Sequence, residues 1–294
     1  MDQTDPLLRH RVPFDGRFGV EGLSCDPPPG TPGEEELEEE LEELVEELDE
    51  LQRRLFADER FAVLAVFQAM DAAGKDGTIR KVFSGVNPAG FRVHAFGRPS
   101  ELELRHDFLA RVGQRLPERG KIGIFNRSHY EEVLVVRVHP ELLAAQHLPD
   151  VDPARIWEER FESIRSFERH LARNGTTIAK FWLNVSKEQQ RKRFMDRIEE
   201  ADKNWKFRLG DLDDRARWDD YLAAYQSALA ATSREWAPWY AIPADDKDYA
   251  RTAVARVMVA TLRSLDPRYP TVGEEQRREL EEGLRRLRDE DGKR

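Results

Sequence analysis

Short apolar runs alternate with longer amphipathic stretches from residue 61 onward. Five of the runs have the composition of buried strands, and we predict strands at 61–67, 91–96, 121–125, 177–185 and 239–242. Between them apolar residues recur at helical spacing, which predicts helices at 101–116, 129–138, 152–174, 187–200, 215–236 and 246–265. Strands joined by helices form right-handed crossovers that cover both faces of a parallel sheet. The pattern therefore predicts an α/β protein.

The region before the first predicted strand combines a linker with a helix. Residues 26–33 are mostly Pro and Gly, which favour neither a helix nor a central strand. Residues 37–55 carry Leu or Val three and four positions apart among Glu residues, which predicts an amphipathic helix that docks through its apolar stripe. We divide the chain into an N-terminal extension at 1–54, a core at 55–265 and a charged, helical C-terminal tail at 266–294.

The composition of the 294 residues excludes several classes of protein. No apolar run approaches the length of about eighteen residues that a membrane span needs, and the first 20 residues lack the apolar segment of a secretory signal. The single Cys25 can form neither an internal disulfide nor a cysteine zinc site, which agrees with a reducing compartment. We therefore expect a cytoplasmic protein that binds neither membranes nor nucleic acids.

The formal net charge of -10 comes from one short segment. Residues 34–50 hold 12 of the 57 acidic residues and no basic residue, so the remaining chain has a slight excess of bases. A local basic face and an anionic substrate are therefore compatible with the acidic composition.

A candidate phosphate-binding loop follows the first predicted strand and precedes a helical stretch. Its sequence from Ala69 to Thr78 is AMDAAGKDGT. In such a loop the backbone N–H groups and the helix N-terminus face the anion, and a lysine, here Lys75, reaches the phosphate oxygens. Two positions depart from the usual pattern, because Ala69 replaces its first glycine and Asp76 replaces the Ser or Thr after the lysine. The residues predicted to bind phosphate are Ala72, Ala73, Gly74, Lys75, Asp76, Gly77 and Thr78.

Asp71 lies inside this loop, where its carboxylate would repel a bound phosphate at close range. A divalent cation between the two groups turns the repulsion into attraction. We therefore predict that Asp71 is a Mg²⁺ ligand, the alternative being a turn residue that caps the following helix.

Polar residues follow the third predicted strand, at the sheet edge where ligands bind in open α/β folds. Arg127 offers two parallel donors to a phosphoryl group. Glu131 or Glu132 is a candidate to hold a metal ion or to orient the attacking oxygen. We interpret His129 as structural, because phosphoryl transfer here needs no imidazole.

Basic residues cluster between 187 and 218, among them Arg193 and Arg197 on one face of a predicted helix. Such a face beside the sheet edge is suited to close over a polyanion as a lid. The alternative is an ordinary solvated helix face.

Five motifs in series resemble the polyphosphate kinase 2 family, namely AMDAAGKDGT, GIFNRSHYE, KNWKF, WDDY and APWYAIPADDK. The resemblance covers about residues 55–265. It implies a P-loop kinase-like fold, with five parallel strands between helices and a helical lid at about 187–218. It also implies direct, Mg²⁺-assisted, in-line transfer of the terminal phosphoryl group of inorganic polyphosphate to a nucleotide.

The resemblance also implies roles for individual residues. The implied catalytic group is Asp71, Lys75, Asn126, Arg127, Glu131 and Glu132, with Asp71 and Glu131 as metal ligands. The implied polyphosphate-binding residues of the lid are Arg193, Arg197, Lys203 and Lys206. The motif around Asn126 is similar to the branch of the family that accepts both AMP and ADP, although Glu132 stands where that branch has Asp.

Two other functions remain open from the residues alone. An ATP-dependent nucleoside or nucleotide kinase would use the same phosphate loop, and a nucleotide-binding protein would recruit a partner through its acidic helix. The set of Asp71, Lys75 and Arg127 disfavours the second, because binding alone does not need a metal ligand, a lysine and an arginine together. From the apolar helix stripes we expect a homo-oligomer, a dimer or a tetramer.

Overall fold

One five-stranded parallel sheet organises residues 5–291, the part of the chain that the computed structural model describes. Its strands are β1 (Ala62–Ala69), β2 (Phe91–Ala95), β3 (Ile122–Asn126), β4 (Thr176–Asn184) and β5 (Trp239–Pro243). Each predicted strand is present, and its ends differ from the prediction by no more than two residues. The order across the sheet is β2-β3-β1-β4-β5, and every neighbouring pair is parallel. The predicted α/β class is confirmed.

Helices cover the sheet and its edges. The α-helices are α1 (Pro6–Arg9), α2 (Glu34–Asp58), α3 (Lys75–Val82), α4 (Glu101–Leu104), α5 (Ala110–Gly113), α6 (Val135–Val138), α7 (Pro140–Ala144), α8 (Ile156–Arg173), α9 (Lys187–Glu199), α10 (Gly210–Ala216), α11 (Trp218–Thr232), α12 (Lys247–Ser264) and α13 (Glu274–Asp291). Short 3₁₀ turns lie at Pro88–Gly90, His129–Glu132 and Asn204–Lys206. No helix within the described residues is long and apolar enough to cross a membrane.

The strand order determines where the two polar segments of the sequence meet. β1 is buried along its whole length and pairs with β3 on one side and β4 on the other. Phe67, near the end of β1, lies opposite Asn126 of β3 and Phe181 of β4. Parallel strands end at the same edge of a sheet, which is where open α/β folds bind ligands. The phosphate loop after β1 and Arg127 after β3 therefore lie side by side.

Three predicted helices are interrupted in the structure. The helix predicted at 101–116 is wrong, because α4 and α5 are separate helices. Between them the Asp107 carboxylate accepts a hydrogen bond from the N–H of Leu109 (2.9 Å) and starts a new turn. The helices predicted at 129–138 and 215–236 are likewise each divided into two shorter elements.

The acidic helix α2 docks on α12 through its apolar stripe, as predicted. The buried leucines of α2 are Leu37, Leu41, Leu48, Leu51 and Leu55. Two ion pairs flank the contact, Glu40 with Arg256 and Glu47 with Arg263. Most of the other carboxylates of α2 are exposed to solvent. The helix that accounts for the negative net charge is therefore packed on the core with its charges outward.

The chain before α2 covers the open edge of β5. Arg11 forms an antiparallel bridge with Tyr240, and the fully buried Val12 donates its N–H to the carbonyl of Trp239 (2.9 Å). This pairing satisfies backbone groups that an edge strand otherwise exposes. Residues 26–33 contain no buried residue, which fits their interpretation as a linker. The N-terminal extension is thus in contact with the core on both sides of the linker.

The C-terminal helix α13 is exposed, as predicted for the tail. Its leucines Leu280, Leu284 and Leu287 are each at least half exposed. Residues 292–294 of the predicted tail lie outside the described residues.

We expect Leu48→Ala to lower the free energy of unfolding by about 2–5 kcal/mol, because Leu48 is fully buried on the docked face of α2. Urea denaturation followed by circular dichroism measures the change. Leu280→Ala on the exposed α13 is the control and should change the free energy of unfolding by less than about 0.5 kcal/mol. An equally small effect of both substitutions would contradict the docking of α2.

Candidate active site

The phosphate loop connects β1 to α3 through two left-handed residues. Ala72 has a φ of +60° and Gly74 a φ of +104°. Glycine adopts this conformation without strain, whereas Ala72 must be held in it by its surroundings. Left-handed residues in a loop turn successive N–H groups toward one side and form an anion-binding concavity. The first turn of α3 adds further N–H groups that have no partner within the helix.

Three side chains behind the loop hold its carbonyl groups. The donors and the carbonyls they reach are Lys75 Nζ to Ala69 (2.9 Å), Gln190 Nε2 to Asp71 (2.9 Å), and Arg193 Nη1 to Ala72 (3.3 Å) and Ala73 (2.8 Å). Buried carbonyl groups need such partners, since water does not reach them. These donors therefore satisfy four carbonyls of the loop from within the protein.

Arg193 also joins the loop to the segment after β5. Its Nη2 donates to the carbonyls of Ala244 (2.7 Å) and Asp245 (2.9 Å). The side chain is only 6% exposed, and burial lowers its pKa. The sequence predicts that Arg193 binds polyphosphate from the lid, but the structure places its guanidinium beneath the loop, in contact with backbone carbonyls. This placement favours a supporting role for Arg193.

Arg127 lies between two carboxylates at the sheet edge. Its Nη2 donates to Asp71 Oδ1 (2.7 Å), and its Nη1 lies 3.6 Å from Glu131 Oε2. The residue is left-handed, with a φ of +62°, and its N–H donates to the carbonyl of Phe67 in β1 (3.0 Å). Glu131, and to a smaller extent Asp71, raise the pKa of Arg127 above its ordinary value. The guanidinium is therefore a fixed positive charge beside the phosphate loop.

Glu131 faces the same space and is oriented by Gln68. With its amide nitrogen toward the carboxylate, Gln68 donates to Glu131 Oε1 (2.9 Å) and accepts a hydrogen bond from the Ser128 hydroxyl (3.2 Å). Burial raises the pKa of Glu131, although Arg127 and Lys75 oppose this shift. An additional cation at this position would stabilise the charged carboxylate.

The ammonium group of Lys75 lies beneath the loop, and the residue is only 8% exposed. Burial lowers the pKa of Lys75 to about 8, and the nearby Arg127 guanidinium adds to this shift. A bound phosphate acts in the opposite direction, because a nearby anion favours the charged form of a lysine. The protonated form of Lys75 is thus most stable when an anion occupies the loop.

Asn126 ties the end of β3 to the first turn of α3. Its Nδ2 donates to Asp76 Oδ1 (2.5 Å), and Asp76 stands where the usual loop has a Ser or Thr. With this contact, the structure brings together five of the six residues that the sequence predicts as catalytic. They are Asp71, Lys75, Asn126, Arg127 and Glu131.

Glu132 is the sixth, and its carboxylate makes different contacts. It accepts hydrogen bonds from Gln146 Nε2 (2.9 and 3.0 Å) and lies 3.2 Å from Arg160 Nη2. Arg160 also donates to Gln146 (2.9 Å), so the three side chains form a closed cluster at α8. The structure therefore engages Glu132 away from the phosphate loop, although it follows Glu131 directly.

The predicted lid comprises α9, α10 and the segment between them. Arg197 of α9 lies 3.8 Å from Asp211 of α10. Burial raises the pKa of Asp211, and the nearby charge of Asp71 adds to this shift. α10 therefore lies close to the phosphate loop, and Arg197 holds it to α9.

The outer part of the lid, residues 200–209, is the most exposed. Lys203 pairs with Glu200, and Lys206 stacks on the ring of Trp205, with Nζ 5.0 Å from the ring centre. Trp205 itself is 78% exposed. Both lysine side chains are therefore partly exposed to solvent, and their contacts are with residues of the same segment.

The carboxylates of Asp71 and Glu131 supply the oxygen ligands that Mg²⁺ prefers. Proteins usually hold Mg²⁺ through one or two carboxylates, while water and substrate phosphates complete the coordination. Among residues 5–291, no group of three or more His, Cys, Asp or Glu side chains is placed to hold a metal ion by itself. The two carboxylates thus fit a cation that is shared with a bound phosphate.

The sequence does not point to Gln68, Gln190 or Asp211 as residues of this site. Gln190 precedes Arg193 by three positions on α9, so both side chains lie on one face of that helix. This spacing is the only feature of the sequence that could have identified Gln190 as a residue of the site. The partners of the two side chains lie more than a hundred residues away in the chain.

A family model and two named relatives match this chain over most of its length. The family model of polyphosphate kinase 2 (PPK2) matches residues 32–270. The chain is 54% identical over 233 residues to an ADP-polyphosphate phosphotransferase of Rhodopseudomonas palustris, which covers 79% of this chain and 81% of the relative. It is 47% identical over 265 residues to an AMP/ADP-polyphosphate phosphotransferase of Meiothermus ruber, which covers 90% of this chain and 96% of the relative.

The fold is also similar to that of a solved structure. The crystal structure of polyphosphate kinase 2 from Arthrobacter aurescens matches with a TM-score of 0.85 and 37% identity, over 94% of this chain and 96% of that chain. Helix α13 begins at Glu274 and lies beyond the residues that the family model matches.

We expect Arg193→Met to lower the free energy of unfolding by about 1–3 kcal/mol, because it leaves buried carbonyl groups without donors. Urea denaturation measures the change. Arg197→Met on the same helix is the matched control and should cost less than about 1 kcal/mol, since its partner Asp211 is 3.8 Å away and both side chains are partly exposed. Equal costs for the two substitutions would contradict the supporting role of Arg193.

Proposed function

The chain belongs to the polyphosphate kinase 2 family, and we propose that it transfers the terminal phosphoryl group of inorganic polyphosphate to AMP and ADP at the phosphate loop. The observation that carries the proposal is the convergence of Lys75, Arg127 and Asp71 on a loop with a left-handed, anion-binding backbone. The named relatives are polyphosphate phosphotransferases that match over most of their length. An ATP-dependent kinase on the same fold is not favoured by these matches.

The loop is suited to hold the phosphoryl group that is transferred. Its two left-handed residues favour an anion-binding concavity, Lys75 lies beneath it, and Arg127 lies at the adjacent end of β3. These donors are held in place by the surrounding structure before any substrate binds. Charges and dipoles that need no rearrangement stabilise a transition state more effectively than mobile ones.

The reaction needs no covalent enzyme intermediate. An oxygen of the acceptor's terminal phosphate attacks the terminal phosphorus of polyphosphate, and the bond to the bridging oxygen breaks as the new P–O bond forms. The shortened polyphosphate leaves with that oxygen. A phosphate monoester is already anionic at neutral pH, so the nucleophile requires no general base. The task of the protein is to bring two anions together and to neutralise the charge on the transferred oxygens.

We propose that Asp71 and Glu131 hold a divalent cation, Mg²⁺, at this site. The ion would supply positive charge that donor and acceptor phosphates share. Arg127 lies between the two carboxylates and keeps them oriented toward the same space. Asn126 contributes indirectly, by holding Asp76 at the start of α3.

We propose that the exposed lysines of the outer lid, Lys203 and Lys206, bind the phosphates of the donor that are not transferred. Their charges make the affinity for polyphosphate dependent on ionic strength. Gln190 and Arg193 attach α9 to the phosphate loop, so closure would involve the chain after α9. The exposed leucines of α13 support the expectation of a homo-oligomer.

An assay with defined donors and acceptors tests the proposed function. With polyphosphate and no ATP, AMP should yield ADP, and ADP should yield ATP. Lys75→Met should lower kcat at least about a hundredfold, because it removes a positive charge beside the transferred group. It should also lower the melting temperature, because the buried Ala69 carbonyl loses its donor. Phosphorylation of a nucleoside or nucleotide with ATP as donor, but not with polyphosphate, would contradict the proposal.

A Mg²⁺ titration tests the proposed metal ligands. Asp71→Asn and Glu131→Gln should each raise the Mg²⁺ concentration that gives half-maximal activity, because an amide lacks the charge that attracts the ion. Glu132→Gln is the matched control, since that carboxylate faces Gln146 and Arg160. If the half-saturating Mg²⁺ concentration is the same in Asp71→Asn as in the wild type, Asp71 is a turn residue and does not bind the metal ion.

A further inference from the structure

A fully buried ion pair lies behind the segment that carries Arg127. Lys180 of β4 donates to Glu168 Oε2 of α8 (2.6 Å), to the hydroxyl of Tyr130 (2.8 Å) and to the carbonyl of Thr232 (3.0 Å). Lys180 is 0% and Glu168 1% exposed. The three hydrogen bonds use all three donors of the ammonium group. This polar cluster lies in the core of the protein, outside the site described above.

Tyr130 connects the ion pair to the chain after β3. Its hydroxyl donates to Glu168 Oε1 (2.8 Å) and accepts from Lys180. Its ring packs edge-on against Trp239 of β5, with 4.7 Å between the ring centres. The side chain is completely buried. A hydroxyl with two charged partners and a packed ring leaves Tyr130 a single orientation.

The same segment presents the groups that face the phosphate loop. Arg127 lies three residues before Tyr130 and has a left-handed backbone, which persists only where the surrounding structure holds it. Glu131 follows Tyr130 directly. The residue after Glu131 is also fixed, because Glu132 is bound by Arg160. Glu131 therefore projects from a short turn whose neighbours on both sides are anchored in the core.

The cost of burying two charges indicates what the cluster contributes. A buried ion pair seldom adds stability over well-packed apolar residues, because desolvation offsets the attraction. The ion pair does fix the relative positions of its partners, since each partner must keep its hydrogen bonds. An apolar residue in place of Tyr130 would fill the space without fixing how the turn is rotated.

We propose that Tyr130, held by Glu168 and Lys180, is a positioning residue that keeps Arg127 and Glu131 directed at the phosphate loop. The inference rests on the proposed function only in assigning phosphoryl transfer to this loop. Tyr130 touches no substrate and acts through Arg127 and Glu131. Misplacement of such groups by about 1 Å is enough to lower turnover strongly.

A double-mutant cycle separates positioning from a general effect on the fold. Tyr130→Phe keeps the ring and removes the hydroxyl, and we expect it to lower kcat about tenfold with little change in the KM for polyphosphate. In an Arg127→Ala background the same substitution should lower kcat by a clearly smaller factor, because one of the two groups it positions is gone. An equal loss in both backgrounds, or no loss with Arg127 present, would overturn the proposal.

Tyr249→Phe is the control for removing a buried tyrosine hydroxyl. Tyr249 is 1% exposed, and its hydroxyl bonds to His10 (2.6 Å) at the N-terminal segment, so kcat should stay within about twofold. Circular dichroism and melting temperature report folding. If Tyr130→Phe does not fold, Glu168→Gln replaces it in the same two backgrounds, with the same expected non-additivity and the same contradicting results.

The kcat of the wild-type protein with polyphosphate as donor tests the proposed function, independently of the double-mutant cycle. A wild type that uses another phosphoryl donor would contradict the choice of polyphosphate. The cycle would then be measured with that donor, because the expected coupling joins Tyr130 to Arg127 and does not involve the donor's identity.

Discussion

A loop that turns its N–H groups toward an anion must find hydrogen-bond donors for its carbonyl groups on the opposite side, and the rest of this site depends on how that requirement is met. Lys75, Gln190 and Arg193 supply those donors. Two of the three belong to α9, the first helix of the proposed lid. The same bonds therefore stabilise the strained conformation of Ala72 and attach the lid to the loop. The exposed chain between α9 and α10 makes none of these bonds, and we propose it as the part that approaches a bound polyanion.

Charge is balanced inside the site before any ligand binds. Arg127 and Lys75 together supply two positive charges against the carboxylates of Asp71 and Glu131. Burial lowers the pKa of Lys75 to about 8. Phosphate and a divalent cation would add opposite charges to groups already in position, which limits the reorganisation that transfer requires. The negative net charge of the chain does not oppose this, because the acidic helix α2 packs on α12 with most of its carboxylates in solvent.

The elements of the fold follow from local patterns, and the sequence predicts them well. Buried strands of a parallel sheet are continuous apolar runs, so all five were recognisable without knowledge of their neighbours. Long helices were equally clear, because the spacing of their apolar residues repeats over several turns. The division of residues 101–116 into two short helices was not predicted, since Asp107, whose carboxylate starts the second one, is an ordinary polar residue in the sequence. The packing of Val12 on β5 was also missed, because its partner lies more than two hundred residues away.

The sequence by itself determined that a Gly-Lys loop follows the first strand and that Arg127 and Glu131 follow the third strand, because both are local features of the chain. The strand order that places the two segments side by side came only from the tertiary structure. Only the tertiary structure decided where individual side chains point. Glu131 and Glu132 are adjacent and chemically alike, yet one faces Arg127 and the other faces Arg160. Arg193 and Arg197 share a helix, yet one lies beneath the loop and the other pairs with Asp211. The physical reason is that periodicity along the chain specifies a face of an element, whereas the partner of a buried polar group is set by distant segments that fold against it.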